Sequence, residues 1–441
     1  MSKATLAKNS RAPASIYTNA RASVALLQEL LRRESVTPQE CGIYDLIRPR
    51  LEAVGFRCLQ IDKGGVRNLF AYIDLSENTK NPGKQQNRTL ESMESIQNIR
   101  HFCFMGHVDV VPAGDGWSVG AFSGVEQGGY IWGRGAQDMK AGVAAFVCAV
   151  VDFVESVRAE SKLNIDSSTQ PNLLESTLQS NRAHPPMLSL LLTSDEEGEG
   201  TYGTRYALEE LARLDLLPSH AIVAEPTCSE IFGDTIKNGR RGSINGVLEI
   251  LGKQGHVAYP EKCHNPVEAL GAWLGKLAGV ELDSGDENFA PSKLVITDIR
   301  GGLEVVNVTP SALRVMFNVR NSPLSSKESL QNYIESIMQE IQRSHGITCT
   351  LSLKQSAKPF ICARDSALVK HLAASVEKTC GITPTCSTSG GTSDARFCHE
   401  YGIEAVEFGV RNDRIHSVDE RVAVSDVEGL YWVFMEFLRA L

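Results

Sequence analysis

Histidine and acidic side chains recur in this chain at spacings that suit metal-dependent hydrolysis. His107 and Asp109 close an apolar run, and residues two apart on a strand share one face, so both side chains can enter one site. A histidine ligand is commonly oriented by a nearby carboxylate. Two ordinary surface residues would give the same pattern, so this pair alone leaves both interpretations open.

Three further acidic motifs and a second histidine carry the same ambiguity. Asp138 lies in a glycine-rich segment just before a predicted helix, where an aspartate can also be a simple N-cap. Glu196 and Glu197 are adjacent after an apolar run, and either a cation or a solvated loop would relieve their repulsion. Glu225 follows another such run, and His416 lies near the C-terminus. Each is ordinary alone.

Taken together, these residues predict a metal centre. Two histidines and at least three carboxylates, each at the end of a predicted strand, would meet at the carboxyl edge of a parallel sheet, where ligands of open α/β folds bind. Mixed histidine and carboxylate donors suit Zn²⁺, with Co²⁺ or Mn²⁺ as possible substitutes. A bridging carboxylate would give a two-metal site with ions about 3.5–4 Å apart.

The elements that must position these residues alternate between strands and helices. A first helix is predicted over 22–33. The alternation predicts an α/β fold with a mostly parallel central sheet. Strands are predicted at 101–105, 188–193, 221–224 and 405–408, and helices at 141–157, 204–214 and 426–441.

The segment 242–355 has a different pattern and is predicted to be an inserted α+β module, with 1–241 and 356–441 forming the larger, discontinuous domain. Its strands are predicted at 244–251, 294–301 and 313–319, and its helices at 265–278 and 326–343. Two polar stretches, 78–98 and 158–183, are predicted to be surface insertions. The first twenty residues are predicted to be a disordered tail, although their composition also resembles a transit peptide.

Composition limits the function classes. The net charge of −9 argues against a general nucleic-acid-binding protein. No stretch approaches the roughly 18 apolar residues of a membrane helix, and the N-terminus lacks an apolar signal core. Eleven scattered cysteines are typical of reduced thiols. We therefore expect a cytoplasmic enzyme with a small-molecule substrate and neither a nucleic-acid nor a membrane partner.

The order and spacing of five motifs resemble the di-zinc family of aminoacylases, glutamate carboxypeptidases and desuccinylases. The motifs are HVD (107–109), GRGAQDMKAG (133–142), SDEEGEG (194–200), AEPT (224–227) and IHSVDE (415–420). The resemblance runs from about residue 22 to the C-terminus, apart from the two polar stretches. It implies a zinc-peptidase-like catalytic domain, an inserted lid and dimerisation domain, and a homodimer.

The resemblance also implies roles for single residues. Five would hold two zinc ions: Asp138 as the bridge, His107 and Glu225 on one ion, and Glu197 and His416 on the other. Glu196 would be the general base, and Asp109 would orient His107. His256 would donate to the oxyanion in the active site of the opposite subunit.

Three other motifs, GRRGS (239–243), GHVAYP (255–260) and SGGTSD (389–394), are similar to the branch that hydrolyses N-succinyl-L,L-2,6-diaminopimelate in lysine and diaminopimelate biosynthesis. That substrate carries three carboxylates and one ammonium group, and arginine binds carboxylates bidentately. The implied substrate contacts are Arg240, Ser243, Tyr259, Asn307, Arg320, Gly391, Thr392 and Asn412. One departure is Val306, which stands where the family usually has a second asparagine.

Other functions remain open at this point. An acetylornithine deacetylase, or an aminoacylase or peptidase of the same family, would use the same metal motifs. A non-catalytic zinc-binding dimer would keep the fold and the metal, but it would have no use for Glu196, which is surplus to the ligand set. Hydrolysis of succinylated, acetylated and peptide substrates separates these possibilities.

Overall fold

The computed structural model describes residues 14–75, 99–166 and 187–441, which form two compact units. The first contains the described residues up to 238, together with 362–386 and 397–441; the second contains 239–361 and 387–396. The predicted insertion at 78–98, most of that at 158–183, and residues 1–13 of the predicted tail lie outside the described residues.

The first unit is built on an eight-stranded sheet with the order β1-β2-β6-β3-β7-β18-β8-β17. Its four central strands, β6, β3, β7 and β18, are parallel, whereas β1, β2 and β8 pair antiparallel. The predicted α/β class is confirmed, and the parallel part is the centre of the sheet. The strands are β1 Arg57–Gln60, β2 Leu69–Asp74, β3 His101–His107, β6 Met187–Thr193, β7 His220–Val223, β8 Thr235–Lys237, β17 Thr385–Ser387 and β18 Glu404–Glu407. A separate three-stranded sheet joins β4 Val125–Gln127, β5 Tyr130–Trp132 and β19 Arg421–Ala423.

Helices cover the central strands with apolar and aromatic side chains. Phe104 of β3 packs between Phe146 and Phe434, with ring centroids 5.5 and 4.8 Å away. The helices of this unit are α1 Ala14–Leu31, α2 Ile43–Ala53, α3 Ala141–Asp166, α4 Thr204–Arg213, α8 Ala367–Cys380, α9 Ala395–Glu400, which straddles the two units, and α10 Val424–Ala440. Among the described residues, no helix is both long and apolar enough to cross a membrane.

The N-terminal helix and α3 are both longer than predicted. Helix α1 begins at Ala14, within the predicted disordered tail, and α3 continues to Asp166, nine residues beyond its predicted end at 157 and into the predicted insertion. Once a helix is nucleated, each added residue costs little, and the Arg, Ala, Glu and Lys residues in this segment are good helix formers.

The second unit contains a four-stranded antiparallel sheet with the order β12-β14-β10-β15. Its apolar side chains alternate along the strands and bury one face against the Leu330, Ile334 and Ile341 stripe of α7. The strands are β9 Gly239–Arg240, β10 Ser243–Leu251, β11 Gly255–His256, β12 Lys293–Gly301, β13 Val308–Thr309, β14 Ala312–Arg320, β15 Thr348–Ala357 and β16 Phe360–Ile361. The helices are α5 Pro266–Gly271, α6 Leu274–Leu277 and α7 Lys327–His345.

Two details of the second unit differ from prediction. The helix predicted over 265–278 is the two short helices α5 and α6, since Gly271 and Gly275 weaken a continuous helix. The unit also extends beyond the predicted module of 242–355, because β9 pairs with β16 and because the loop 387–396 belongs to it. Its roles as lid and dimerisation domain stay predictions.

Candidate metal centre

Three neighbouring parallel strands bring four of the predicted residues to one edge of the sheet. His107 is the last residue of β3, and Glu225 lies two positions beyond the end of β7. Glu196 and Glu197 lie in the turn after β6. Because β6, β3 and β7 are adjacent and parallel, their carboxyl ends meet at the same edge, as the sequence predicted.

Asp138 and His416 reach the site from irregular backbone, so the expectation that each donor follows a strand is wrong for these two. Asp138 lies in the turn 136–140 before α3, with φ −113° and ψ 97°. His416 lies in the loop between β18 and β19 with φ 59°, the left-handed region that residues other than glycine adopt rarely. The carboxylate of Asp138 faces the two histidines, so the simple N-cap interpretation is not the one observed.

The donor atoms form two groups that share Asp138. In the first, Nε2 of His107 lies 3.2 Å from Oδ1 of Asp138 and 4.0 Å from Oε1 of Glu225. In the second, Nε2 of His416 lies 2.8 Å from Oε1 of Glu197 and 3.4 Å from Oδ2 of Asp138. Tetrahedral Zn²⁺ with bonds of about 2.1 Å separates its ligand atoms by about 3.4 Å. Each group therefore has the spacing that a metal ion requires, with one oxygen of Asp138 available to each.

The electrostatics of the first group favour a cation. Burial, together with the charge of Asp138, raises the pKa of Glu225 well above its ordinary value. Burial alone would lower the pKa of His107, but Asp138 and Glu225 raise it well above its ordinary value. The cluster therefore favours positive charge. Protons supply that charge in the metal-free protein, and a divalent ion would replace those protons.

The second group behaves in the same way at a more exposed position. The hydrogen bond with Asp138, reinforced by the one with Glu197, raises the pKa of His416 to about 10. The same histidines hold the pKa of Asp138 below its ordinary range despite its burial. When all three carboxylates are ionised and both imidazoles are neutral, as metal ligands must be, the five side chains carry three negative charges, which divalent metal ions would offset.

The ring of His107 is held in the tautomer that a metal ligand needs. Its Nδ1 donates to the backbone carbonyl of Asp109 at 2.9 Å, so the lone pair of the neutral ring lies on Nε2, facing Asp138. The carboxylate of Asp109 is 3.6 Å from Nδ1, and its Oδ2 accepts from the backbone N–H of Glu197 at 3.1 Å. The closer orienting contact is thus the Asp109 carbonyl rather than the predicted carboxylate.

Glu196 lies beside the cluster but belongs to neither donor group. It is half-buried, and its charge is among those that raise the pKa of Glu225. The buried carboxylate of Asp195 fixes the turn that carries it by accepting from the backbone N–H groups of Glu199, Thr201 and Tyr202 at 3.2, 2.8 and 2.9 Å. Glu196 is therefore a carboxylate that lies beside both donor groups without belonging to either.

Sequence reasoning did not single out three buried polar residues that support the site. The side chains of Arg134, Gln137 and Glu420 connect the turn of Asp138 to the loop of His416. Their signal was their position inside the GRGAQDMKAG and IHSVDE motifs. Arginine, glutamine and glutamate are most often exposed residues, so their residue type alone does not mark them as buried supports of a site.

The remaining predicted catalytic residue, His256, belongs to the second unit, where it is exposed on β11. Its Nδ1 accepts from the backbone N–H of Ala258 at 3.1 Å. The proton of its neutral ring therefore lies on Nε2, which leaves that atom as a hydrogen-bond donor.

Seven of the eight predicted substrate contacts belong to the second unit, and Asn412 belongs to the first. Arg240 is buried and donates from Nη1 to the carbonyl of Ser389 at 2.9 Å, beside the glycine-rich loop. Arg320 ends β14, and burial and the charge of Arg241 lower its pKa. The others of the second unit are the buried Ser243, the half-buried Thr392 and the exposed Tyr259, Asn307 and Gly391.

The sequence of this chain is similar to a family of metal-dependent peptidases and to named desuccinylases. The model of the peptidase family M20/M25/M40 matches residues 103–165 and 172–440. A succinyl-diaminopimelate desuccinylase of Helicobacter hepaticus is 51% identical over 94% of this chain and 96% of its own length. The desuccinylases of Wolinella succinogenes and Helicobacter pylori are 47% and 45% identical, covering 94% and 95% of this chain and 98% and 99% of theirs.

Solved structures with much lower identity share the fold. A tripeptidase from Staphylococcus aureus is 18% identical with a TM-score of 0.68, covering 95% of this chain and 98% of its own. The aminopeptidase PepT from Bacillus cereus is 17% identical with a TM-score of 0.69, covering 95% and 99%. A dinuclear metal binding peptidase from Bacillus subtilis is 13% identical with a TM-score of 0.63, covering 96% and 100%.

Proposed function

Because the chain belongs to peptidase family M20/M25/M40, we propose that it is a two-zinc amidohydrolase that converts N-succinyl-L,L-2,6-diaminopimelate to succinate and L,L-2,6-diaminopimelate. The observation that carries the proposal is the pair of donor groups that share Asp138, beside the additional carboxylate of Glu196. The choice of substrate rests on the relatives at 44–51% identity, which are named succinyl-diaminopimelate desuccinylases.

The two donor groups assign the ligands in this proposal. His107, Asp138 and Glu225 would hold one zinc ion, and Asp138, Glu197 and His416 would hold the other. When bound, the ions lower the pKa of water to about 7 and polarise the amide carbonyl of the substrate. Co²⁺ and Mn²⁺ accept the same donor types and are possible substitutes.

Proton transfer is assigned to Glu196. Its carboxylate takes a proton from the attacking water and delivers it to the amine that leaves when the amide bond breaks. Asp109 contributes through its carbonyl, which keeps the lone pair of His107 directed at the cluster. His256 is assigned as the donor to the tetrahedral oxyanion, since Ala258 occupies its Nδ1 and leaves the Nε2 proton for this purpose.

The second unit is proposed to be the lid and the dimerisation domain, with His256 serving the active site of the opposite subunit. One support is the edge strand β12. The segment 279–282 pairs with its first two residues, and among the described residues the rest of the strand pairs only with β14 and exposes Val295 and Ile299. Beyond its end, Leu303 and Val306 are also exposed. An open edge with exposed apolar side chains is a template for pairing with another chain, and a second copy would cover it.

Substrate recognition is assigned to the residues predicted from sequence. The guanidinium groups of Arg240 and Arg320 would bind carboxylates of the substrate. The remaining assigned contacts are Ser243, Tyr259, Asn307, Gly391, Thr392 and Asn412. A cytoplasmic location is part of the proposal and is supported by the eleven cysteines, all of which are free thiols.

The proposal is tested by following hydrolysis of N-succinyl-L,L-diaminopimelate by the zinc-loaded protein, with N-acetylornithine and a tripeptide as parallel substrates. We expect loss of the succinyl amide alone, abolished by a chelator and restored by Zn²⁺. Turnover of only the acetyl compound or the peptide would keep the metal chemistry and overturn the substrate. Zinc binding without hydrolysis of any of the three would overturn the enzymatic proposal.

A further inference from the structure

A buried ion pair links the two irregular segments that carry Asp138 and His416. Arg134 is 2% exposed, and its Nη1 donates to Oε2 of the fully buried Glu420 at 2.7 Å. Arg134 stands four residues before Asp138, and Glu420 stands four residues after His416. A buried pair of this kind is expensive to desolvate and contributes little net stability, so another role is needed to account for it.

The carboxylate of Glu420 holds the turn of Asp138 through its backbone. Oε1 accepts from the N–H groups of Gln137 and Asp138 at 2.8 and 3.2 Å, and Oε2 accepts from the N–H of Gly135 at 3.1 Å. Three backbone amides of this turn therefore donate to one carboxylate. Because the backbone amide of Asp138 is held, the position from which its carboxylate reaches the two histidines is held with it.

The guanidinium of Arg134 holds the loop of His416 in a corresponding way. It donates from Nη2 to the carbonyl of His416 at 3.3 Å and from Nη1 to the carbonyl of Ser417 at 3.2 Å. His416 has φ 59°, a left-handed conformation that is strained for a histidine and persists only where its surroundings hold it. The hydrogen bond to its own carbonyl supplies such a constraint.

Gln137 adds a third link between the same two segments. Its Nε2 donates to Oδ1 of Asp413 at 2.6 Å and to the carbonyl of Arg421 at 2.9 Å, while its Oε1 accepts from the N–H of Arg414 at 2.8 Å. The segments are thus interlocked on both sides of His416. His107 and Glu225 are positioned by β3 and β7, so they depend on the sheet for their placement.

We infer that Glu420 and Arg134 are positioning residues that set the geometry of the Asp138–Glu197–His416 group and thereby the affinity of the second metal ion. The inference rests on the proposed two-metal function. It assigns the two metals different structural supports, the sheet for the ion at His107 and Glu225, and the interlocked segments for the ion at His416. Asp138 serves both groups, but the group of His416 takes two of its three donors from the interlocked segments and the group of His107 takes only one. Loss of the interlock should therefore weaken the site at His416 more than the site at His107.

The test is a calorimetric titration of Zn²⁺ into the metal-free full-length protein and its Glu420→Gln variant. The variant keeps the shape of the side chain, but its amide nitrogen cannot accept the hydrogen bonds of the oxygen it replaces. We expect two equivalents of zinc in the wild type. In the variant, the equivalent at His416 should bind 10–100-fold more weakly, the range usual for residues that orient ligands, and the equivalent at His107 should be weakened by a clearly smaller factor.

Arg134→Lys provides a second variant that keeps the charge beside Glu420 but loses the planar fork, and we expect the same selective loss to a smaller degree. This variant decides the question if Glu420→Gln does not fold. Asp283→Asn is the matched control, because Asp283 also accepts four hydrogen bonds but lies in the second unit. It should bind both equivalents as the wild type does.

Two outcomes would overturn the inference: unchanged affinity for both equivalents in Glu420→Gln or Arg134→Lys, or an equal loss at both. The second would indicate general destabilisation of the first unit. The proposed function can fail separately. A wild type that binds two zinc ions but leaves the succinyl substrate intact would refute the substrate, and the inference about Glu420 and Arg134 would stand.

Discussion

Replacing Gly142 with alanine should disturb the first metal site from outside it. Gly142 is the second residue of α3, and a Cβ at this position would lie 2.2 Å from the carbonyl oxygen of Ala224. Since a carbon and a carbonyl oxygen approach to about 3.3 Å, the helix and this backbone must separate by about 1 Å. Ala224 directly precedes Glu225, so the shift passes to a proposed ligand.

The magnitude follows from two tolerances. Overpacking of this kind costs about 1–3 kcal/mol in the free energy of unfolding. Metal–ligand distances tolerate only about 0.2 Å, so a displacement of Glu225 by even half of the required separation should weaken zinc binding at His107 and Glu225. We expect a 10–100-fold loss at this site, comparable with the removal of an orienting residue.

The assay combines urea unfolding with zinc titration of the metal-free protein. Gly275→Ala is the control, because Gly275 lies in α6 with nothing within 4 Å of an added Cβ. It should be neutral, or stabilising by up to about 1 kcal/mol. If Gly142→Ala matched the wild type in both unfolding and zinc affinity, the argument from close approach at Ala224 would be refuted.

Three further predictions concern catalysis and stability. Glu196→Gln should lower kcat by about 10²–10⁴-fold with zinc content unchanged, and retained turnover would contradict its role as base. His256→Ala should lower kcat by about 10²–10³-fold. When the His256→Ala and Glu196→Gln proteins are mixed, each mixed dimer should contain one site with both native residues, which should restore up to about a quarter of wild-type activity. No recovery would contradict action across subunits. Burial lowers the pKa of His101 from 6.5 to about 4. As the pH falls from 6.5 towards 4, the unfolded chain therefore binds a proton at this histidine before the folded protein does, and the folded protein loses stability over that window. Relative to the His101→Gln variant, the wild type should lose about 2 kcal/mol of unfolding free energy between pH 7.5 and 5. The control variant Ile73→Val should differ from the wild type by the same unfolding free energy at every pH.

The sequence predicted the regular part of the fold because regular structure leaves a periodic pattern. The runs before His107, Glu197 and Glu225 are apolar and short, and each is a buried strand within a few residues of its predicted bounds. Parallel pairing then brings their ends together without further information. This is why the edge of the sheet and three of the five candidate ligands could be placed together from strand ends alone.

The irregular part could not be predicted from pattern. Neither the turn of Asp138 nor the left-handed backbone at His416 has a period, and both are fixed by hydrogen bonds between residues about 280 positions apart. The same limit applies to Asp109, whose carbonyl rather than its carboxylate makes the close contact with His107. Backbone donors and acceptors are identical in every residue, so sequence does not mark those that bind side chains.

The order in which the donors occur along the chain has a consequence for biosynthesis. During synthesis from the N-terminus, His107, Asp138 and Glu225 are all present once residue 225 has been made, and His416 follows about 190 residues later. The second group therefore cannot close until synthesis has passed His416, and occupancy of its metal would report that both interlocked segments have been made.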